Sequence, residues 1–177
     1  LTHVHQDHIQ SITSWIKRLK ISHMYIWMNS LTAKLLSTIV TVPSHAIRVM
    51  SSNKWYPLNV TETKEPTRWY VSCWPSSHCP GAVMFAFAET KSRQVWVCTG
   101  DFRWVSSLQD DMMWLIKSCS NMRQKQVWHV HWFYDATFAY SNQPFSSLDK
   151  VRAQFSNILT KAVQERKEVV IHVPRIG

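Results

Sequence analysis

The sequence predicts a layered α+β domain, and three kinds of segment support that prediction. Apolar runs of strand length recur along the chain, two of them are joined by a short polar turn, and amphipathic stretches show helical spacing. With 177 residues, of which 45% are hydrophobic, the chain is long enough to bury a core. Such a mixture of strands and helices is typical of α+β or α/β layered domains.

The first elements expected along the chain are helix, strand and helix. Residues 12–19 place apolar side chains at helical spacing. SHMYIWMNS (22–30) predicts a short buried strand. NSLTAKLLSTIV (29–40) predicts a helix capped by Asn29 or Ser30, whose side chains can accept a hydrogen bond from the first turn.

The middle of the chain is predicted to be mainly strands. Apolar runs bounded by polar turns give a strand–turn–strand unit over 54–78 and a hairpin of strands 82–90 and 93–101 about the turn Thr90–Arg93. A further apolar strand lies within 127–138 and ends at Asp135.

An amphipathic helix and a final strand are expected at the end of the chain. The helix covers 146–167, and EVVIHVP (168–174) predicts the strand. The residues expected on the inward face of the helix are Leu148, Val151, Phe155, Ile158, Leu159 and Ala162.

Charge and cysteine content limit the partners and the compartment. A net charge of +9 favours polyanionic partners such as nucleic acid. No apolar run approaches the ~18 residues of a membrane span, so no membrane partner is expected. CxxC spacing is absent, which predicts reduced, mostly core thiols in a reducing compartment. The four cysteines are Cys73, Cys79, Cys98 and Cys119.

Three polar motifs at predicted strand ends contain the residues most suited to chemistry. THVHQDH begins the chain, SSHCPGAV follows one strand and CTGDFR follows another. Imidazole and carboxylate are ligands that zinc prefers, and loops at strand ends commonly hold such groups. The candidate metal ligands are therefore His3, His5, Asp7, His8, His78 and Asp101.

These ligands can be divided between one or two divalent ions, with zinc the expected metal. His3, His5 and His78 can form a three-nitrogen face around one ion. Asp7 and His8 can serve a second ion, and Asp101 can bridge the two. Two such ions would activate water and stabilise both oxygens of an in-line phosphoryl displacement.

The order of the motifs resembles a known family. HxHxDH, then HCPGA, then TGDFR, then a strand ending in DATF is similar to the metallo-β-lactamase fold, and more narrowly to the β-CASP nucleases of DNA cross-link repair (the Artemis and Apollo group). The resemblance implies an αββα sandwich, present as an incomplete N-terminal half. Residues 1–140 would be the lactamase-like segment and residues 141–177 the start of the β-CASP-like region.

The resemblance also implies roles for particular residues. His3, His5, His78 and Asp101 would hold the tighter metal, and Asp7 or His8 would assist proton transfer. Asp135 would match the acidic residue of the first β-CASP motif, which supports the ligands at the centre of the site. The predicted catalytic residues are thus Asp7, His8, Asp101 and Asp135. Basic side chains expected to meet nucleic acid are Lys17, Arg18, Lys20, Arg103 and Arg175.

Two departures from the family pattern affect these expectations. Gln10 and Ser11 stand where the family has glycine after HxHxDH, so the following helix is expected to sit differently. Pro174 and Arg175 replace small residues of a phosphate-binding loop, which puts recognition of a 5′-phosphate in doubt. An incomplete sandwich would also leave an apolar face to be covered by the remainder of the fold or by a host complex.

Three functions remain open from the sequence. The leading one is a zinc-dependent nuclease of 5′ exonuclease type that acts on DNA during cross-link or double-strand-break repair in the nucleus. The second is an RNA-processing β-CASP nuclease. The third is a degenerate, non-catalytic relative that serves as a subunit of a larger nucleic-acid complex, for which an organellar matrix would also be a suitable location.

Overall fold

The computed structural model describes residues 1–18, 25–58, 68–122, 127–137, 139, 142 and 146–172. The chain divides into two compact units, Leu1–Asp135 and Ala136–Ile176. Helices and strands are both abundant among the described residues, which agrees with the predicted α+β class.

The first unit contains the described strands and most of the described helices. Its helices are α1 (Gln6–Ile9), α2 (Ile12–Arg18), α3 (Ser30–Ile39) and α4 (Ser107–Met122), with a short 3₁₀ turn at Ser44–Ala46. Its strands are β1 (Ile26–Asn29), β2 (Ile47–Met50), β3 (Tyr56–Leu58), β4 (Trp69–Pro75), β5 (Val83–Glu89), β6 (Gln94–Cys98) and β7 (His129–Phe133).

The strands form two sheets of different size. β1 and β2 pair in parallel as a two-stranded sheet. The larger sheet has the order β3-β4-β5-β6-β7, antiparallel from β3 to β6 and parallel between β6 and β7. Because β4, β6 and β7 run in the same direction, the loops that follow them leave the sheet at the same edge.

Both faces of the larger sheet are packed in its central part. On one face Trp74 and Val97 contact Leu108 and Leu115 of α4. Side chains of the opposite face, represented by Cys73, belong to a cluster that includes residues of β1 and β2. Alternate residues along β4 and β5 therefore point into two different cores, as the two-residue period of a strand requires.

Helix α3 begins at Ser30, directly after the predicted capping residue Asn29. Asn29 accepts a hydrogen bond from the backbone N–H of Thr32 at 2.7 Å, and Leu36 packs into a core with Met28. The predicted hairpin is also confirmed, since β5 and β6 pair about the turn that joins Glu89 to Gln94. The turn 59–67 and the start of the predicted strand at 22–24 lie outside the described residues.

The end of the chain differs from the prediction in two respects. Helix α5 (Leu148–Gln164) is present, capped by the side chain of Ser147, but Val151, Phe155 and Ile158 of its expected inward face are exposed. Residues 168–172 form no strand, although their β-branched side chains predicted one, and 173–174 lie outside the described part. A segment forms a β-strand only when a neighbouring strand is available for pairing, and the character of its side chains does not show whether one is.

Four of the described elements were missing from the sequence prediction: helix α1, the 3₁₀ turn, strand β2 and helix α4. Strand β2 is short and pairs only with β1 among the described strands. Helix α4 is 16 residues long and buries Leu108, Leu115 and Cys119, a spacing of seven and four residues that is typical of a helix.

Apolar surface remains open around the first unit. A cavity of about 540 Å³ is lined mainly by apolar side chains, among them Trp15, Trp27 and Phe87, with Thr2 and His8 also in its wall. Strand β7 exposes all five of its residues, and 59% of Phe133 is accessible. None of the described helices is both long and apolar enough to cross a bilayer.

The hairpin turn contains a carboxylate with a perturbed pKa. Glu89 accepts hydrogen bonds from the backbone N–H groups of Lys91 at 3.0 Å and Ser92 at 2.6 Å. Burial alone would raise the pKa of Glu89, but these hydrogen bonds and the charge of Arg68 together lower it below its ordinary value. The turn is therefore held best when Glu89 is ionised.

We expect the substitution Glu89→Gln to lower the free energy of unfolding by about 1 kcal/mol near pH 7. A lowered folded-state pKa contributes stability above the unfolded-state pKa, and this contribution disappears as the pH falls through the folded-state pKa. Urea unfolding of both proteins between about pH 7 and pH 3 should therefore show a difference that shrinks in acid. The exposed Glu168→Gln is the control, and a pH-independent difference for Glu89→Gln would contradict the explanation.

Candidate metal centre

The side chains predicted for the site come from four segments of the first unit. The segment before and within α1, and the loops that follow β4, β6 and β7, all contribute. In chain order these side chains are His3, His5, Asp7, His8, His78, Asp101 and Asp135. The common direction of β4, β6 and β7 explains why residues so far apart in sequence lie at one edge of the sheet.

Three histidines lie in mutual contact. Nε2 of His3 is 2.8 Å from Nδ1 of His5, and Nε2 of His78 is 3.1 Å from the same His5 nitrogen. Two nitrogens bound tetrahedrally to one zinc at about 2.0–2.1 Å would lie about 3.3–3.4 Å apart. The spacing of these nitrogens is therefore close to what one shared zinc ion requires.

Asp101 faces histidines with both of its oxygens. Oδ2 lies 3.6 Å from Nε2 of His3 and 3.4 Å from Nε2 of His78. Oδ1 lies 3.6 Å from Nε2 of His8, which is itself 3.5 Å from Oδ2 of Asp7. A carboxylate in this position can bridge two groups of ligands, as the sequence led us to expect.

His3 is the buried centre of the cluster, with 1% of its surface exposed. Burial, and then the neighbouring His8 and His5, lower the pKa of His3 to about 4, while Asp101 opposes them. His3 is therefore neutral at physiological pH, and a neutral imidazole has the free nitrogen lone pair that a metal needs.

Asp135 acts on the cluster through its charge. The pKa of His78 is lowered, mainly by burial and then by His5. Asp101 opposes this shift most strongly, and the charge of Asp135 also raises the pKa. The backbone N–H of Asp135 donates to Oγ1 of Thr99 at 3.0 Å, which ties the end of β7 to the end of β6. The structure thus brings Asp135 to the predicted site, on the side of His78.

Thr2 was not recognised from the sequence as part of the site. Its Oγ1 lies 3.1 Å from Nδ1 of His3 and 3.2 Å from Nδ1 of His8. This contact leaves Nε2 of both rings directed at Asp101, an arrangement that orients metal-binding histidines in proteins. The only signal in the sequence was a hydroxyl residue directly before His3.

Cys79 was also missed, because the four cysteines were interpreted together as mostly core thiols. The donor atoms of His3, His5, His78 and Cys79 all lie within 4.8 Å of one another, and so do those of His3, His8 and Asp101. Nitrogen, sulfur and carboxylate oxygen together suit zinc better than they suit magnesium or calcium. The donor chemistry at the site therefore fits a zinc-type ion.

The loop that presents His78 has a special backbone conformation. Ser77 has φ 57° and Gly81 has φ 83°, and the Ala82 N–H closes a turn on the Cys79 carbonyl at 3.0 Å. The Gly81 carbonyl accepts hydrogen bonds from Asn29 Nδ2 at 2.9 Å and Thr32 Oγ1 at 2.7 Å. The start of α3 therefore holds the loop in place.

Of the basic residues predicted to meet nucleic acid, Arg103 can be placed. It is exposed, and its backbone N–H donates to the Ser76 carbonyl at 2.9 Å, directly beside the His78 loop. The side chains of Lys17 and Arg18, and the residues Lys20 and Arg175, lie outside the described part of the structure.

The fold and the cluster together define a candidate metal centre at a sheet edge, and similar proteins are known. No family model matches the chain. It is 33% identical to 5′ exonuclease Apollo of Danio rerio over 109 residues, which are 61% of this chain and 18% of that protein. It is 29% identical to protein artemis of Homo sapiens over 110 residues, 58% of this chain and 16% of that protein.

A third relative is DNA ligase 6 of Arabidopsis thaliana, 30% identical over 115 residues, which are 63% of this chain and 7% of that protein. The chain thus spans less than a fifth of the length of each of these curated relatives. These similarities to Apollo and Artemis support the resemblance that the order of the motifs indicated.

We expect the substitution Gly81→Ala to destabilise the fold by about 1–3 kcal/mol, because a side chain at positive φ is strained. The new Cβ would also lie 2.9 Å from Oγ1 and 3.1 Å from N of Thr32. Relief of this contact should displace the His78 loop and weaken zinc binding. Urea unfolding and a competitive zinc titration would measure the two effects.

The matched control for this prediction lies in the same loop. Ser77→Gly removes a Cβ at φ 57°, so it should leave the stability unchanged or raise it. Equal stability and equal zinc affinity of Gly81→Ala and the unmodified chain would contradict the proposed role of Gly81.

Proposed function

We propose that the chain forms the metal-binding part of a zinc-dependent nuclease with a metallo-β-lactamase sandwich, which acts on DNA as a 5′ exonuclease-type enzyme in cross-link or double-strand-break repair. The observation that carries the proposal is the position of Asp101, whose two oxygens face His3 and His78 on one side and His8 on the other. Such a bridging carboxylate is expected where two ions act on one phosphodiester.

The residues of the candidate metal centre would have different roles in the reaction. Bound divalent ions would supply Lewis-acid chemistry and stabilise charge on the phosphate oxygens. His3 and Asp101 would hold the ions, while Thr2 would orient the imidazoles. Asp7, with 76% of its side chain exposed beside His8, is open to a substrate and can accept or return a proton.

The proposed substrate is DNA, and the proposed location is the nucleus. The net charge of +9 suits a polyanion, and the names of two relatives, 5′ exonuclease Apollo and DNA ligase 6, support DNA over RNA. Contacts to the 2′-hydroxyl would be needed to select RNA over DNA, and cleavage of matched DNA and RNA strands separates these alternatives.

The open apolar surface supports the proposal that a further partner surface completes the sandwich. The cavity wall and the exposed strand β7 leave apolar side chains accessible, including Phe133. We propose that the remainder of the fold, or a host complex, covers this surface.

We expect the chain to bind about one to two zinc ions and the substitution His3→Ala to lower zinc affinity and nuclease activity at least about 100-fold. His3 is the buried residue shared by both groups of ligands, so its loss affects both. Elemental analysis and cleavage of end-labelled strands would measure the two effects.

His129→Ala is the matched control, because this exposed histidine pairs with Gln94 at the end of β6 remote from Asp101. Absence of zinc from the folded, chelator-free chain would overturn the metal centre. If the chain binds zinc but cleaves neither DNA nor RNA, the proposed nuclease activity is wrong. That result would favour a non-catalytic interaction module.

Arg103 is expected to contact the nucleic-acid backbone beside the metal centre. Arg103→Ala keeps the backbone N–H that donates to Ser76, yet removes the exposed positive charge. The slope of log affinity against log salt concentration should then become less steep by about 1. Fluorescence anisotropy with labelled single strands would measure it.

Lys91→Ala is the control for Arg103, since it removes the same charge in the β5–β6 turn, at the opposite end of β6 from Asp101. If Arg103→Ala and Lys91→Ala change the salt dependence of binding equally, Arg103 does not contact the nucleic acid in the way proposed.

A further inference from the structure

Cys79 supplies a donor of a kind that no other residue of the cluster has. We propose that its thiolate joins His3, His5 and His78 as a ligand of the ion on their side of Asp101, and that it makes this position selective for zinc over manganese and magnesium. This inference rests on the metal centre of the proposed function and extends it to the choice of metal.

The first argument is geometric. Sγ of Cys79 and one nitrogen from each of the three histidines lie within 4.8 Å of one another. A tetrahedral zinc ion with bonds of about 2.0–2.1 Å to nitrogen and about 2.3 Å to sulfur needs donors separated by about 3.3–3.6 Å. The four donors therefore lie close to the separations that a single ion requires.

The second argument comes from the backbone of the loop. Consecutive side chains usually diverge, yet His78 and Cys79 both reach the same group of donors. The positive φ of Ser77 before them and of Gly81 after them, with the turn closed from Ala82 to Cys79, curls the loop in this way. The helix start that holds the Gly81 carbonyl fixes this curl before any ion binds.

The third argument concerns charge. His3, His5 and His78 bring no negative charge when they bind an ion as neutral imidazoles, and the Asp101 carboxylate is shared with the group of His8. A thiolate offsets one positive charge of the ion at the position where three neutral donors meet. On binding, the thiol S–H bond breaks, an S–metal bond forms, and one proton passes to solvent.

Selectivity follows from the softness of sulfur. Thiolate ligands favour zinc and cadmium, whereas carboxylate and water suit manganese and magnesium. With His3 bound to the first ion, the remaining ligands His8 and Asp101 contain no sulfur and lack this preference. The two positions should therefore differ in the metals that they accept.

The test replaces zinc by cobalt(II), because the absorption spectrum of bound cobalt(II) depends on which atoms are its ligands. Titration of the chain with Co²⁺ should give visible ligand-field bands and a thiolate-to-cobalt charge-transfer band in the near ultraviolet. In Cys79→Ser the charge-transfer band should disappear while the visible bands remain. Zinc affinity should fall at least about 10-fold, with manganese affinity unchanged.

Cys98→Ser is the matched control, because Cys98 is likewise half-buried and burial raises its thiol pKa in the same direction. It should retain the charge-transfer band. Visible bands without a charge-transfer band, or a band that survives in Cys79→Ser, would overturn the role of Cys79 and leave the metal centre intact. Absence of any cobalt or zinc binding would overturn the centre and this inference together.

A second measurement needs no substitution. Alkylation of the unmodified chain, followed by peptide mass spectrometry, should show that Zn²⁺ protects Cys79 but leaves the reactivity of Cys98 unchanged. Protection should disappear in His3→Ala. Equal alkylation of Cys79 with and without zinc, under conditions where zinc is bound, would contradict the proposed ligand.

Discussion

The packing of four imidazoles against one carboxylate is the constraint on which the rest of the site depends. Charged histidines at separations of 2.8 to 3.1 Å would repel one another, so the arrangement requires neutral rings. Burial of His3 meets this condition for the central ring, since it lowers the pKa of that ring to about 4. The neutral His3 ring then offers a nitrogen lone pair beside the Asp101 carboxylate, and a cation stabilises this arrangement.

The sheet and the helices around these rings hold the loops that follow β4, β6 and β7 at one edge of the sheet. Thr99 joins the ends of β6 and β7 through its N–H, which donates to the Phe133 carbonyl, and through its hydroxyl, which accepts from Asp135. The Gly81 carbonyl is held by the first turn of α3. Core packing on both faces of the sheet makes that edge rigid, so the positions of His78 and Asp101 are fixed by long-range structure rather than by their own loops.

Local patterns in the sequence predicted the elements whose partners lie nearby, as the hairpin of β5 and β6 and the Asn29 cap illustrate. The motif order also indicated the candidate ligands that the structure brings together. What the sequence left open depended on tertiary neighbours: Val151 and Phe155 belong to an amphipathic pattern but are exposed, and residues 168–172 have strand-like composition without a strand. Cys79 was interpreted with the other cysteines as one of a mostly core set, and its position beside His78 depends on the curled loop, which the sequence did not reveal.

The metal cluster and the apolar interior share part of their structure, and this links packing to chemistry. Thr2 and His8 line the cavity of about 540 Å³ and also belong to the cluster, where the Thr2 hydroxyl contacts His8. The wall of the cavity and the contact that orients His8 therefore involve the same two side chains. The group formed by His3, His8 and Asp101 shares His8 with the cavity wall, whereas His5 and His78 lie outside that wall.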